Sequence, residues 1–428
     1  MTMMNRSLSL PLIASTLVSM VAIGALAQEA PSSHGLKVLL MGVVDRNINP
    51  LSDWLSTEPG TVFSVVPSRL YKGSWEDSHG EAFQDEIRRF IRIYFPRSVD
   101  DLRSYEVMLF SSIVVTMYSG TQIDWMVEAI RDGGTCAMAD TGGMMGKSTL
   151  MYVPWAESTI SEAFPCDADA TAALFGPGDA PNLGEFRVRL NRNLSDPVFT
   201  PFLPFGIEKW RGSSGRIMVP QTGCTIWGWM HLEEEVYPWV LSWRYGSGLT
   251  WSIADAPRYP FWSRYEVGWS DNDFGMDMWF NMMYLGAGKK LVTDVPLVHS
   301  ARDSFRLFRT QVETVTNFMD FVERFGANAQ PLVEEIAGLE PLVERAEQQY
   351  IAQEYASAMD SMTQAMQSLM EIWERGARLR RRALTWVYLT EWTAVTSVAL
   401  ISGLTLHWLM IKRRLYREAS ITRHARVL

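Results

Sequence analysis

Apolar positions along this chain fall into four regimes, and each predicts a different kind of element. Leu8 to Leu26 is a nearly unbroken apolar run behind a lone Arg6, and Ala25-Leu26-Ala27 ahead of Gln28-Glu29 has the small-x-small layout of a signal-peptide cleavage site. From Lys37 to about Pro165, short apolar runs alternate with amphipathic ones. Lys37 to Val44, Val62 to Val66, Tyr105 to Val114 and Thr135 to Asp140 read as strands, and Glu81 to Tyr94 and Thr121 to Arg131 as helices, the latter with Ile123, Met126, Val127 and Ile130 on one face. From Phe186 to about Asp255 the pattern becomes a strict alternation rich in tryptophan, which predicts added antiparallel strands. There Tyr245-Gly246-Ser247-Gly248 turns the chain into a strand from Leu249 to Ala254 that returns toward the main sheet. Past Asp294 the spacing is helical: Val312, Val315, Met319 and Val322 repeat at three and four, Pro331 and Pro341 interrupt, and Tyr355, Met359, Met362, Met366, Leu369 and Trp373 form a narrow seam. Such a seam serves either an antiparallel helical hairpin or a dimerising coiled coil.

The last regime ends in a stretch from Trp392 to Ile411 that is uncharged throughout and then meets Lys412-Arg413-Arg414. At about 1.5 Å per residue it covers roughly 30 Å, the depth of a hydrocarbon core. The expected organisation is a signal peptide over 1–27, an α/β domain over 35–298, a helical stalk over 299–385, a transmembrane helix over 386–411 and a basic cytoplasmic tail over 412–428. Lys412, Arg413, Arg414, Arg417, Arg423 and Arg426 against Glu418 suit a cytoplasmic end. Arg378, Arg380, Arg381 and Arg382 lie on the other flank, so orientation rests on the leader: single-pass type I in the cell membrane, main domain extracytoplasmic. Within the span His407 is costly in lipid unless it faces a partner, and Glu391 is placed at the outer interface with Trp386 and Trp392.

Charge and cysteine usage narrow the partners. The chain carries net −9; the tail's +5 and the leader's +1 leave −15 on residues 28–411. A strongly acidic exported surface argues against nucleic acid. Cys136, Cys166 and Cys224 allow at most one disulfide within a monomer, and three reduced, mostly buried thiols are the expectation. No Cys/His cluster has metal-ligand spacing, and no cofactor is expected.

The strand-helix alternation predicts a doubly wound, mostly parallel sheet with both faces covered. Within it, Lys37-Val38-Leu39-Leu40, the central Tyr105-Glu106-Val107-Met108-Leu109-Phe110, Trp125-Met126-Val127, Gly133-Gly134 and Gly142-Gly143 follow one another in a familiar order. Trp155, Phe164-Pro165, Arg244-Tyr245-Gly246-Ser247-Gly248 and Asp255 extend the match. Over roughly residues 35–295 the chain resembles the class I glutamine amidotransferase-like superfamily, in particular its uncharacterised amidotransferase-like branch. The resemblance implies a flavodoxin-like fold and a cysteine at a strand-to-helix elbow, completed by a His-x-Glu pair. A thiolate on a Gly-flanked turn exposes sulfur beside oxyanion-stabilising N–H groups, while the histidine takes the proton. Here the elbow reads Asp140-Thr141-Gly142-Gly143-Met144, with no cysteine, and Cys136 falls inside the preceding strand. His231-Leu232-Glu233 satisfies His-x-Glu, but it precedes Tyr245-Gly246 in an acidic turn, where an exposed loop histidine is the competing reading.

Other motifs carry weaker chemistry. Thr141 to Ser148 misses the P-loop pattern because Thr141 stands where the first glycine belongs; its backbone N–H groups suit an anion or carboxylate instead. Nine tryptophans from Trp210 to Trp279 suit sugar or peptide stacking, against the competing reading of core packing. Asp45 and Asp255 end an early and a late strand, placing carboxylates at the sheet's carboxyl edge, where open α/β sheets bind ligands. Asp271 and Asp273 are further candidates, and Asn193-Leu194-Ser195 matches a glycosylation sequon.

These residues predict a membrane-anchored, catalytically inactive amidotransferase-like head acting as an extracytoplasmic ligand-binding or assembly module. Its ligand site is expected at Asp45, Thr141, Gly142, Gly143 and Asp255, for a small molecule or glycan. Protein partners or a second copy are expected through stalk and span. The alternative is an exported hydrolase acting on a glycan or peptide through His231, Glu233 or the aspartates near the elbow.

Overall fold

The computed structural model describes residues 35–45, 49–69, 81–140, 155–175, 183–264 and 268–424. Four strands open the chain: β1 (Lys37–Val43), β2 (Val62–Arg69), β3 (Val107–Ser111) and β4 (Cys136–Asp140). Five follow: β5 (Phe186–Leu190), β6 (Arg211–Gly212), β7 (Thr225–Leu232), β8 (Glu235–Tyr245) and β9 (Gly248–Ile253). All nine join one sheet in the order β2-β1-β3-β4-β9-β8-β7-β5-β6. Pairing is parallel from β2 through β4 to β9 and antiparallel from β9 outward. The fold is mixed α/β.

Burial explains the division. β3 and β4 are buried at every position, so their sequences are continuous apolar runs, as strands covered on both faces require. β5 alternates instead, with Phe186, Val188 and Leu190 inward and Arg187 and Arg189 in solvent. The hairpin β8–β9 feeds the last parallel strand back beside β4. Its two-residue turn needs a positive φ at Gly246 (62°), and a Cβ there would meet the Arg131 carbonyl oxygen.

Helices α1 (Leu51–Thr57), α2 (Glu81–Tyr94), α3 (Val99–Arg103) and α4 (Gly120–Arg131) link the parallel strands. A capping box starts α4: Ser119 Oγ accepts from the Gln122 N–H, and the Gln122 side chain accepts from the Ser119 N–H. After α5 (Ala168–Phe175), α6 (Gly275–Gly286) is buried along most of its length, including Met278, Trp279, Phe280, Met282 and Met283. A helix buried on nearly all sides, with even Asp277 and Asn281 inside, shows no clear amphipathic period, so the sequence pattern did not announce it. Trp239, Trp251, Trp262 and Trp279 are fully buried, and Trp239 stacks on Trp262 with centroids 5.4 Å apart. Most of the tryptophan-rich region is therefore core.

The remainder is helical: α7 (Val295–Glu323), α8 (Gln330–Ala337), α9 (Glu340–Ile351) and α10 (Tyr355–His424). Pro331 lies in the first turn of α8 and Pro341 in that of α9, where a missing N–H costs no helical bond. Two compact units result. The first runs to Phe305 and includes Gln349–Ala356; the second comprises Arg306–Gln348 and Ser357–Leu428. The residue expected to open the stalk, His299, lies within α7 and inside the first unit.

In the second unit Val315, Met319, Ala329, Leu369 and Ile372 form a core, and Phe318 packs on Trp373 at 4.3 Å. The buried line on α10 passes through Ala358, Met362, Ala365, Leu369 and Ile372, with Met359, Met366 and Trp373 half-buried beside it. Farther along, α10 contains an 18-residue window of mean hydropathy 1.7 with exposed side chains. By length and composition it can cross a membrane.

Candidate functional site

The strand order singles out one place on the sheet. The chain moves from β1 to β2 on one side, then crosses to β3, β4 and β9 on the other, so the topological switch lies between the carboxyl ends of β1 and β3. Open α/β sheets leave a crevice there because the flanking connections depart in opposite directions. At this point β1 and β3 come very close. Gly42 has φ 109°, and a Cβ on it would lie 1.8 Å from the Ser111 carbonyl oxygen, so only glycine fits.

A continuous hydrogen-bonded chain occupies the switch point. Asn49 Nδ2 donates to the Val43 carbonyl (3.3 Å) and to Ser111 Oγ (2.5 Å), while its Oδ1 accepts from the Leu51 N–H (3.0 Å). Ser111 Oγ donates onward to Asp140 Oδ2 (2.9 Å), and the Ser112 N–H and hydroxyl donate to Asp140 Oδ1 (2.8 and 3.3 Å). Ser112 has φ 48°, a left-handed conformation unusual for a residue with a side chain, held by its bonds to Asp140. Asn49, Ser111, Ser112 and Asp140 are all buried.

Two buried carboxyls meet at the ends of adjacent strands. Asp140 closes β4 level with Ile253 of β9, and Asp255 follows two residues later. Burial pushes the Asp140 carboxyl upward, opposed by the charge of Arg258 and the hydrogen bonds from Ser112 and Ser111. Burial raises Asp255 to about 8; the Trp262 and Trp239 indoles oppose the rise and the charge of Asp140 adds to it. Trp262 Nε1 donates to Asp255 Oδ1 at 2.8 Å, whereas Asp255 Oδ2 makes no hydrogen bond of normal geometry among the described residues. At neutral pH Asp255 therefore holds a proton. Both carboxyls are buried at the carboxyl edge of the sheet, and burial pushes each toward its protonated form.

The sequence-derived candidates distribute unevenly around this point. Asp45 follows β1 at the same edge and is half-buried, its backbone carbonyl accepting from the Asn49 N–H at 2.9 Å. Asp255 belongs to the carboxyl pair. Thr141, Gly142 and Gly143 lie outside the described residues, directly after Asp140. His231 and Glu233 sit at the tip of the β7–β8 hairpin, where Glu233 has φ 40°. The register aligns Asp140 with Ile253, Ile253 with Val240 and Val240 with Gly228. His231 is thus past that row and three strands away, about 14 Å in the pairing direction alone, and the fold does not bring it to Asp140. Asp271 accepts from Arg211 at 2.9 Å and Asp273 from Arg264 at 3.4 Å, both on the surface. Cys136, Cys166 and Cys224 are free thiols; burial raises Cys136 and Cys166 to about 12, which leaves them protonated and unreactive. Sequence reasoning missed Asn49, Ser111, Ser112 and Asp140 as site residues, although the strand-end position of Ser111 and Asp140 carried the signal.

A second buried polar cluster, also unforeseen, lies in the first compact unit. Arg302 on α7 donates through Nε and Nη2 to Glu58 (2.5 and 3.0 Å) and through Nη1 to Asp277 on α6 (2.7 Å). Tyr284 and Tyr350 donate their hydroxyls to Glu58. His299 Nδ1 meets the other Asp277 oxygen at 2.7 Å. Burial works against the charge on Arg302, but Glu58, Asp277 and the tyrosines outweigh it. Every charge here faces an opposite one.

No family model and no curated protein matches the chain. Among solved structures, it is similar to a cytoplasmic protein of Salmonella typhimurium LT2, STM1381, at 12% identity and TM-score 0.41, covering 60% of this chain and 100% of that one. Another Salmonella typhimurium cytoplasmic protein, STM3548, gives 14% and 0.40, covering 58% and 98%. A GH42 β-galactosidase of G. stearothermophilus gives 11% and 0.33, covering 67% of this chain and 35% of that one. At these scores the likenesses decide neither fold nor function.

Proposed function

We propose that this chain is a membrane-anchored binding module whose head, a flavodoxin-like member of the class I amidotransferase-like group, takes a polar ligand at the carboxyl edge of its sheet. The observation that carries the reading is the buried Asn49–Ser111–Ser112–Asp140 chain at the topological switch, beside a second buried carboxyl, Asp255, whose Oδ2 makes no hydrogen bond of normal geometry among the described residues. Acyl transfer through a thiolate is disfavoured because all three cysteines are described and none lies at the elbow. The apolar stretch of α10 supports anchoring. In this reading the leader exports the head, and assembly with protein partners runs through stalk and span.

One observation favours a second reading. A buried acid pushed up to about 8 beside a second carboxyl held by hydrogen bonds from Ser111 and Ser112 is a pairing that general acid–base hydrolysis can use. Of the groups the sequence offered to an exported hydrolase of a glycan or peptide, this favours the aspartates near the elbow, Asp140 and Asp255, over His231 and Glu233.

The test is the thermal midpoint of the full chain in detergent with sugars, amino acids, peptides and divalent cations, for wild type, Asp140→Asn and Gly143→Trp. A ligand class that raises the midpoint of the wild type but of neither variant supports the site. Absence of a shift with every class, or equal shifts in all three proteins, contradicts it. Turnover of the stabilising class would favour the hydrolase.

A further inference from the structure

The antiparallel end of the sheet buries one face and turns the other to solvent. Phe186 and Val188 of β5, Met230 of β7 and Trp239 of β8 are buried, with Phe186 stacked on Phe261 and Trp239 on Trp262. Side chains alternate along a strand, so the residues between these face the opposite way. The register sets Arg211, Arg187, His231 and Val236 side by side in one outward row across β6, β5, β7 and β8, and Arg189 opposite Trp229 in the next. Arg187, Arg189 and Val236 are exposed, and Trp229 and His231 are half-buried. Six of the nine tryptophans from Trp210 to Trp279 are buried, and Trp229 is not among them. It makes no ring contact and no side-chain hydrogen bond among the described residues.

The charges on this face are unevenly matched. Arg211 donates to Asp271 at 2.9 Å, approaches Glu185 at 3.6 Å and lies 4.8 Å over the Trp269 ring. Arg211 holds the Asp271 carboxyl below its ordinary range, and the charge of Arg187 adds to that. Arg189 has neither an ion pair nor a side-chain hydrogen bond among the described residues, although residues 28–411 carry net −15. Glu233 and Glu234, exposed at the β7–β8 turn, border the His231 row and direct an anion toward the Arg189 end. Side chains directly opposite on neighbouring strands have Cβ atoms about 4.5–5.5 Å apart, so the Arg189 guanidinium and the Trp229 indole can reach one ligand together. The guanidinium fits a carboxylate in a two-pronged hydrogen bond, and the indole offers a flat apolar surface. A sugar ring bearing an acid group uses both; a neutral sugar leaves the guanidinium idle, and a bare anion leaves the ring idle.

We propose that this sheet face binds an acidic saccharide, with a uronate carboxylate on Arg189 and its pyranose ring against Trp229. The surface belongs to β5 and β7, and β7 is three strands from the β4 that ends in Asp140, so the inference does not depend on the ligand site at the carboxyl edge.

The full chain in detergent is titrated with oligogalacturonate, neutral dextran and double-stranded DNA at one ionic strength. The wild type is expected to bind oligogalacturonate more tightly than either of the others. Arg189→Gln is expected to weaken that binding about five-fold, as loss of an exposed ion pair implies, and Trp229→Leu about tenfold, through loss of the ring contact. Arg192→Gln, whose guanidinium already donates to Glu208 at 2.7 Å, is expected to bind as the wild type does. Arg189 is exposed, so its variant is expected to keep the wild-type thermal midpoint and carries the test even where Trp229→Leu unfolds. Absence of oligogalacturonate binding, equal affinity for dextran, or undiminished affinity in Arg189→Gln overturns the site. Tighter binding of the DNA overturns the saccharide assignment and makes the face a general polyanion surface.

Discussion

The head contains two buried polar clusters built on different principles. Around Arg302, Glu58 and Asp277 receive a guanidinium in fixed geometry, two tyrosine hydroxyls supplement it, and His299 approaches from the side. Around Asp140, the hydrogen bonds come from serines and a strained backbone, the charge of buried Arg258 opposes the effect of burial, and Asp255 Oδ2 makes no hydrogen bond of normal geometry among the described residues. A network with matched charges holds chain segments together. One whose two carboxyls are both pushed toward the protonated form by burial, with the Arg258 charge opposing this at Asp140, carries a larger desolvation cost than one built around a bidentate guanidinium. On the proposed reading, the first cluster holds the head together and the second serves recognition.

The sharpest way to break that assignment is to remove the matched charge. Arg302→Met leaves two buried carboxylates facing each other, and loss of about 3–5 kcal/mol is expected by chemical denaturation. An effect below about 1 kcal/mol would mean that the first cluster does not hold the head together.

Asp255 tests the other side through pH. Its folded-state value of about 8 lies above the ordinary 3.8, so the folded state binds the extra proton between those limits. Stability should fall as pH rises from about 4 to about 8 and level off above. Asp255→Asn should flatten the profile and, at pH 9, exceed the wild type by on the order of 2 kcal/mol. His299 works with the opposite charge. Its hydrogen bond to Asp277 raises it above 6.5, so its contribution is complete below that value and is lost as pH rises through the raised one. His299→Gln should cost about 1–2 kcal/mol at pH 6 and much less at pH 9.

Two smaller substitutions calibrate the comparison. Ser119→Ala removes the α4 cap, whose hydrogen bonds run to Gln122 and to no residue of either cluster, and should cost about 1 kcal/mol in denaturant melts. Ser112→Gly relieves the left-handed φ while losing a 3.3 Å hydroxyl contact, so stability should change by less than about 0.5 kcal/mol. Its ligand response should nevertheless weaken, which separates recognition from folding.

Much of the fold was legible because its signals are local. Continuous apolar runs marked β1, β3 and β4, and Tyr245-Gly246-Ser247-Gly248 marked the hairpin that returns β9 to the sheet. The helix α6 stayed hidden because burial on all sides erases periodicity. The site was half legible: strand-end carboxylates pointed to Asp255 and to the edge where Asp45 lies. Asn49, Ser111 and Ser112 are ordinary polar residues whose meaning comes from strand order, which no local pattern records. The Glu58–Arg302 pairing spans most of the head in sequence, so neither residue announces the other.

The most direct measurement is difference infrared spectroscopy of carboxyl groups in wild type and Asp255→Asn across the pH range. The account predicts a protonated-carboxyl C=O band at pH 7 that disappears as pH rises through about 8, is absent from Asp255→Asn and persists in His299→Gln. A wild-type spectrum at pH 7 without that band would place both switch-point acids in the charged form and contradict the distinction between the two clusters.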